Sequence, residues 1–145
     1  MDYNNWINQL DSPQKRSWSG RAFEQVCLEH IVEIKKALGV AAIQSTTRSW
    51  ISRDKDHGAQ VDLVIDRRDR VINLCEMKFY IHPITITKGY AEDLSEKTRV
   101  FKEQTKTTKA IYLTMITTFG LVSNAYASSM VKNSFDMDIL FEQQK

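Results

Sequence analysis

Two apolar runs, Val61-Asp62-Leu63-Val64-Ile65 and Val71 through Phe79, flank the polar stretch Arg67-Arg68-Asp69-Arg70. Aliphatic and β-branched residues bounded by turn residues predict two strands joined as an antiparallel hairpin. Each run carries charge inside otherwise apolar sequence: Asp62 in the first, and Glu76 and Lys78 in the second. Charges in such places are costly unless they are paired or hold an ion. Successive strand residues point to opposite faces, so Glu76 and Lys78 share one face and Met77 joins Cys75 and Phe79 on the other. A turn centred near Asp69 puts Asp62 directly across from Glu76, with Cβ atoms about 5 Å apart. Two carboxylates so close repel unless a cation lies between them. Their hard oxygens suit Mg²⁺ or Mn²⁺ with several waters retained. Lys78, one pleat further on, is placed to meet a phosphate oxygen or an attacking water and to stabilise a pentavalent transition state. Any one of these charges also reads as a strand-edge residue or half of a salt bridge; together, at matched positions, they point to a site.

The rest of the chain supplies a frame. Residues 1–17, which include Trp6 and the Ser12-Pro13 turn, read as an irregular lead-in, and residues 18–145 as a single domain. From Arg21 to Leu38, Phe23, Val26, Cys27, Ile31, Ile34 and Leu38 recur at helical spacing, with Ser19 as the expected N-cap and Gly39 as the C-terminal stop. Glu24 sits beside that apolar stripe in the first turns, where an acid can reach the sheet as an outer metal or water ligand. Gln60, two residues before Asp62, projects from the same face. A strand is predicted over 40–52, a charged loop at Asp54-Lys55-Asp56-His57-Gly58, a helix from Lys88 to Thr105, and a strand buried on both faces from Ala110 to Thr117. The tail keeps short apolar stretches around Tyr126–Val131 and Met137–Phe141. A helix, a three-stranded meander, a helix and a strand give a mixed sheet flanked by helices, an α/β fold.

Composition narrows the classes. At 145 residues the chain is long enough for one domain with a buried core. A net charge of +2 does not by itself mark a nucleic-acid binder. Cys27 and Cys75 lack metal-like spacing and read as buried thiols, which suits a reducing cytoplasm. No apolar run approaches a membrane span, and the first residues lack the regions of a signal peptide. His30, His57 and His82 are too scattered to form a zinc or catalytic set. Lys97, Arg99, Lys102, Lys106 and Lys109 make the second helix and its exit basic, and Arg67, Arg68 and Arg70 do the same for the hairpin tip. Each group reads either as a solvated face or as a phosphate-contacting edge. Gln104 is the other helix residue with reach toward the site.

The set Gly20-x-x-Phe23-Glu24, Gln60-x-Asp62 and Glu76-x-Lys78, on helix, strand and strand, resembles the PD-(D/E)XK nuclease superfamily, with Val61-Asp62 in place of Pro-Asp. The resemblance covers roughly residues 18–118. More narrowly, the chain resembles the C-terminal nuclease-like domain attached to bacterial AAA-type ATPases. That likeness rests on Trp18 through Glu24, Gly58 through Leu63, Cys75 through Phe79, Phe101 through Thr105 and Leu113 through Thr118. The resemblance implies a restriction-endonuclease-like core and metal-dependent hydrolysis of DNA phosphodiesters. It implies Asp62, Glu76 and the Met77 carbonyl as ligands of Mg²⁺ or Mn²⁺, Lys78 as the catalytic lysine, and Glu24 and Gln60 as assisting groups. Arg67, Arg68 and Lys102 are then candidate substrate contacts. It further implies an N-terminal ATPase domain in a longer chain and leaves self-association open. The alternative is a catalytically inactive module of the same fold that binds DNA or a protein partner.

Overall fold

A computed structural model describes residues 13–53 and 58–141; Trp6, the loop residues 54–57 with His57, and the N-terminal segment up to Ser12 lie outside the described residues. In chain order the elements are α1 (Pro13–Glu29), α2 (Ile31–Ala37), β1 (Ser45–Ile51), β2 (Gln60–Arg67), β3 (Val71–Lys78), α3 (Lys88–Thr105), β4 (Ala110–Thr117), α4 (Ala125–Met130), β5 (Asn133–Phe135) and a 3₁₀ turn, Met137–Leu140.

The two apolar runs form the hairpin. Ile65 pairs with Asn73 and Asp66 with Ile72, a register symmetric about Asp69. Arg70 takes a left-handed conformation, φ 68°, in the three-residue connection. Arg67 Nε donates to Asp69 Oδ1 at 2.9 Å across that turn. β1 adds antiparallel to β2, so β1, β2 and β3 are a meander. The chain then crosses through α3 and returns as β4, parallel to β3. β5 lies parallel to β4, which completes a mixed five-stranded sheet in the order β1-β2-β3-β4-β5.

Helices cover both faces. Phe23, Cys27 and Ile34 of α1 and α2 pack on Leu63, Ile65, Cys75, Met77 and Ile116. On the other face Val100 and Phe101 of α3 pack on Trp50, Val61, Val64, Ile72 and Leu74. Ala91 and Leu94 of α3 meet Leu113 and Met115 of β4. β3 and β4 are buried on both sides, which is why they read as near-continuous apolar runs. The protein is therefore α/β, with a mixed sheet between helical layers.

Several expectations change. The first helix begins at Pro13, so the end of the expected irregular lead-in is helical. Proline suits the first helical turn because its missing N–H costs nothing there. Ser19 is consequently buried within α1 and does not cap it. The expected single helix is broken at His30 (φ −123°, ψ 35°), whose Nδ1 lies 2.7 Å from the Val26 carbonyl oxygen. Gly39 follows α2 with φ +74°, the left-handed stop that was expected. β1 starts at Ser45 and not at Val40. β5 is an additional strand. Among the described residues no helix is long and apolar enough to cross a membrane.

Candidate functional site in a fork of the sheet

The hairpin is zipped only part of its length. The β2–β3 ladder runs from Asp66↔Ile72 to Leu63↔Cys75 and is not continued. Beyond that point β2 stays paired to β1, through Val61↔Trp50 and Gln60↔Ile51. β3 stays paired to β4, through Glu76↔Met115, Met77↔Ile116 and Lys78↔Thr117. The sheet therefore forks, with Gln60–Asp62 on one arm and Glu76–Lys78 on the other.

The cause lies in β2. From Arg48↔Val64 to Trp50↔Val61, β1 advances by two positions and β2 by three, so the extra residue falls at Asp62–Leu63. Such a bulge breaks the alternation of faces and re-aims a side chain. Val61 accordingly joins Val64 in the α3-side core, while Leu63 joins the α1-side core. The register is the one expected for Asp62 opposite Glu76, but the ladder stops one pair short of them. The two are the first positions past the last ladder pair.

Glu24, half-buried on α1, reports what gathers at the fork. Its carboxyl binds a proton more tightly than usual, first because burial strips its water and next because Asp62 lies close. The Lys78 ammonium opposes that shift, while a hydrogen bond with Asp62 and the charge of Glu76 add to it. Glu24, Asp62, Glu76 and Lys78 are thus within electrostatic reach of one another, drawn from α1, β2 and β3. Gln60 Nε2 donates to Asp62 Oδ1 at 3.1 Å and holds that carboxylate. Met77 turns its side chain into the α1-side core, which leaves its main chain at the fork. Lys78 is exposed, at the mouth of an open groove of about 540 Å³ that runs past Tyr80 and His82.

Glu76 is only 6% exposed, and its partner comes from the opposite layer. Lys97 of α3 donates from Nζ to Glu76 Oε1 at 2.7 Å. Tyr90, two turns earlier on the same face of α3, has its hydroxyl enclosed without a partner among the described residues. Burial, followed by the charges of Glu76 and Asp93, raises the proton affinity of that hydroxyl. Lys97 read in the sequence as one of a row of helix cations. A signal was present: it lies three residues after Leu94 and four before Phe101, on the inward stripe of α3, where a charge needs a partner.

The other candidates lie elsewhere. Arg67 ends the zipped part of β2, five residues or roughly 17 Å from Asp62 at strand rise, and Arg68 follows it in the turn. There Arg67 Nη1 donates to Asn73 Oδ1 at 3.1 Å and Arg68 bonds Gln44. Lys102 is exposed five residues beyond Lys97, towards the end of α3. Gln104 turns to the loop after β1, accepting from the Arg53 amide at 2.9 Å and donating to Ser52 Oγ at 3.1 Å. His82 is exposed and meets the Tyr80 ring edge-on at 6.0 Å. Trp50 is a core residue against Phe101, with ring centroids 5.1 Å apart, and Trp18 is exposed.

The donor set at the fork is one of carboxylate oxygens, the chemistry that Mg²⁺ or Mn²⁺ takes. Among the described residues no group of three or more His, Cys, Asp or Glu side chains is placed to hold a metal ion. No protein-family model, no curated protein and no solved structure matches the chain.

Proposed function

We propose that the fork is the active site of a metal-dependent nuclease of the PD-(D/E)XK type, acting on DNA phosphodiesters. The observation that carries this reading is the convergence of Glu24, Asp62, Glu76 and Lys78 from three elements, expressed in the raised proton affinity of Glu24. Asp62 and Glu76, with the Met77 carbonyl, would hold Mg²⁺ or Mn²⁺. When bound, such an ion offsets the charge that develops on the phosphoryl oxygens. Lys78, exposed beside the groove, binds a non-bridging oxygen and orients the attacking water. Gln60 keeps Asp62 in position, and Glu24, with its raised proton affinity, sits next to that water as a proton-exchanging group. The low net charge of +2 fits a domain that relies on a neighbouring ATPase domain of a longer chain for part of its DNA affinity.

A specific contact favours a second reading. Lys97 already neutralises Glu76 at 2.7 Å, which is what a non-catalytic DNA- or protein-binding module of the same fold would retain. Cleavage of single-stranded, double-stranded and branched DNA with Mg²⁺ or Mn²⁺ separates the two. The nuclease reading expects metal-dependent cutting, with Lys78→Ala and Asp62→Asn each losing about 10²-fold or more. DNA retention with no metal-dependent cutting of any substrate by the wild type supports the second reading instead.

A further inference from the structure

We infer that Lys97 is a tethered counter-ion that occupies the cation position of Glu76 and must leave before a divalent ion binds there. The inference rests on the reading of Glu76 as a metal ligand. Glu76 is nearly sealed from solvent, so its charge needs compensation inside the protein. The Lys97 ammonium supplies it at 2.7 Å, from a side chain that remains a quarter exposed. Charge counting shows the effect. Glu24, Asp62 and Glu76 carry three negative charges, and Lys78 and Lys97 carry two positive ones. With Lys97 in place the fork keeps a single excess negative charge and attracts a divalent ion less. With Lys97 withdrawn it has an excess of two negative charges, which matches Mg²⁺ or Mn²⁺.

The structure also provides somewhere for Lys97 to go. A cleft of about 280 Å³ opens beside it, lined by Gly58, Ala59, Asp93 and Glu96 among others. Asp93 is exposed and lies four residues earlier on α3, hence on the same helix face one turn away. A lysine has the reach to exchange a buried carboxylate for an exposed one across that distance. The bound state of Lys97 compensates Glu76 in the metal-free sheet; the withdrawn state opens Glu76. Substrate phosphate drawn to Lys78 adds negative charge beside the fork and favours arrival of the ion.

The test is binding of Mn²⁺ alone to the full chain, followed by calorimetry, for the wild type, Lys97→Gln, Lys97→Arg and Glu76→Gln. Loss of the competing charge in Lys97→Gln is expected to tighten Mn²⁺ binding about ten-fold or more, while Lys97→Arg does not tighten it and Glu76→Gln removes it. Equal or weaker binding by Lys97→Gln, with the wild type still binding, overturns the inference and leaves the metal site standing. No Mn²⁺ binding by either protein overturns both. A measurement on the wild type needs no variant. Titration with Mg²⁺ should move the NMR signals of the Lys97 side chain in step with those of the Asp62 and Glu76 amides. Amides that shift while the Lys97 ammonium stays on Glu76 refute the displacement, even if Lys97→Gln does not fold.

Discussion

Glu24 holds its proton more tightly in the folded chain than its ordinary value of 4.5 implies, mainly through burial and then through Asp62. The sign of the linkage follows. A carboxyl with raised folded-state affinity favours folding at pH below the unfolded value, and that contribution is lost as pH rises through the folded value. Glu24→Gln has no proton to lose. Its melting temperature should exceed that of the wild type at pH 7 in chelator, and the difference should shrink towards pH 3; a difference that stays constant across the range would show that Glu24 acts through packing alone. Asp62, Glu76 and Lys78 stood out in the sequence because each is charged within an apolar strand, while Glu24 and Gln60 were placed by the edge of a helix stripe and by the strand period. Lys97 obeyed the same rule but was masked by neighbours Arg99 and Lys102, which are exposed. The bulge at Asp62–Leu63 had no sequence mark, since no glycine is needed there.

Among the elements, α3 shows how completely local signals can define a boundary. Thr87 Oγ1 accepts from the Tyr90 amide at 3.2 Å at its start. Its last turn closes when the Lys106 amide donates to the Lys102 carbonyl, with Lys106 at φ 55°. A left-handed conformation costs a lysine about 1 kcal/mol that glycine avoids. Lys106→Gly should therefore raise the unfolding free energy by up to about 0.5 kcal/mol, after the entropic penalty of glycine. Urea denaturation checks it, and a loss of stability would mean that the exposed Lys106 side chain contributes more than its backbone costs. The bounds of α3 and β4 follow from cap, apolar stripe and buried run. The start of α1 did not, because Ser12-Pro13 carries both a turn signal and a helix-start signal. β5 is three residues long and half exposed, too short to show a period.

For the molecule as a whole, the meander and the crossover divide the labour. The meander tip is tied by Arg67 to Asp69 and Asn73, and Asn73, fully buried, donates to Thr114 Oγ1 at 3.0 Å. That end of the sheet is locked across β2, β3 and β4. Among the described residues the opposite end is paired through β1 with β2 and β3 with β4, and Glu24 of α1 and Lys97 of α3 reach it from either face. Alternation along each strand gave the side-chain faces, but where a ladder stops depends on the twist and bulge of the assembled sheet, which no single strand encodes.

The fork has a consequence for exchange with solvent. Amides that would have faced the partner strand at Gln60–Asp62 and Glu76–Lys78 have no hairpin carbonyl to bond, although the same chain is tightly paired a few residues away. In D₂O, peptides covering 60–62 and 76–78 should take up part of their deuterium well before those covering 63–66 and 72–75, whose protection follows the stability of the core. Uniform protection along the hairpin would mean that the strands close in solution. An occupant of the gap that accepts from those amides would slow the early fraction alone, so the split in the sheet doubles as a built-in gauge of what it holds.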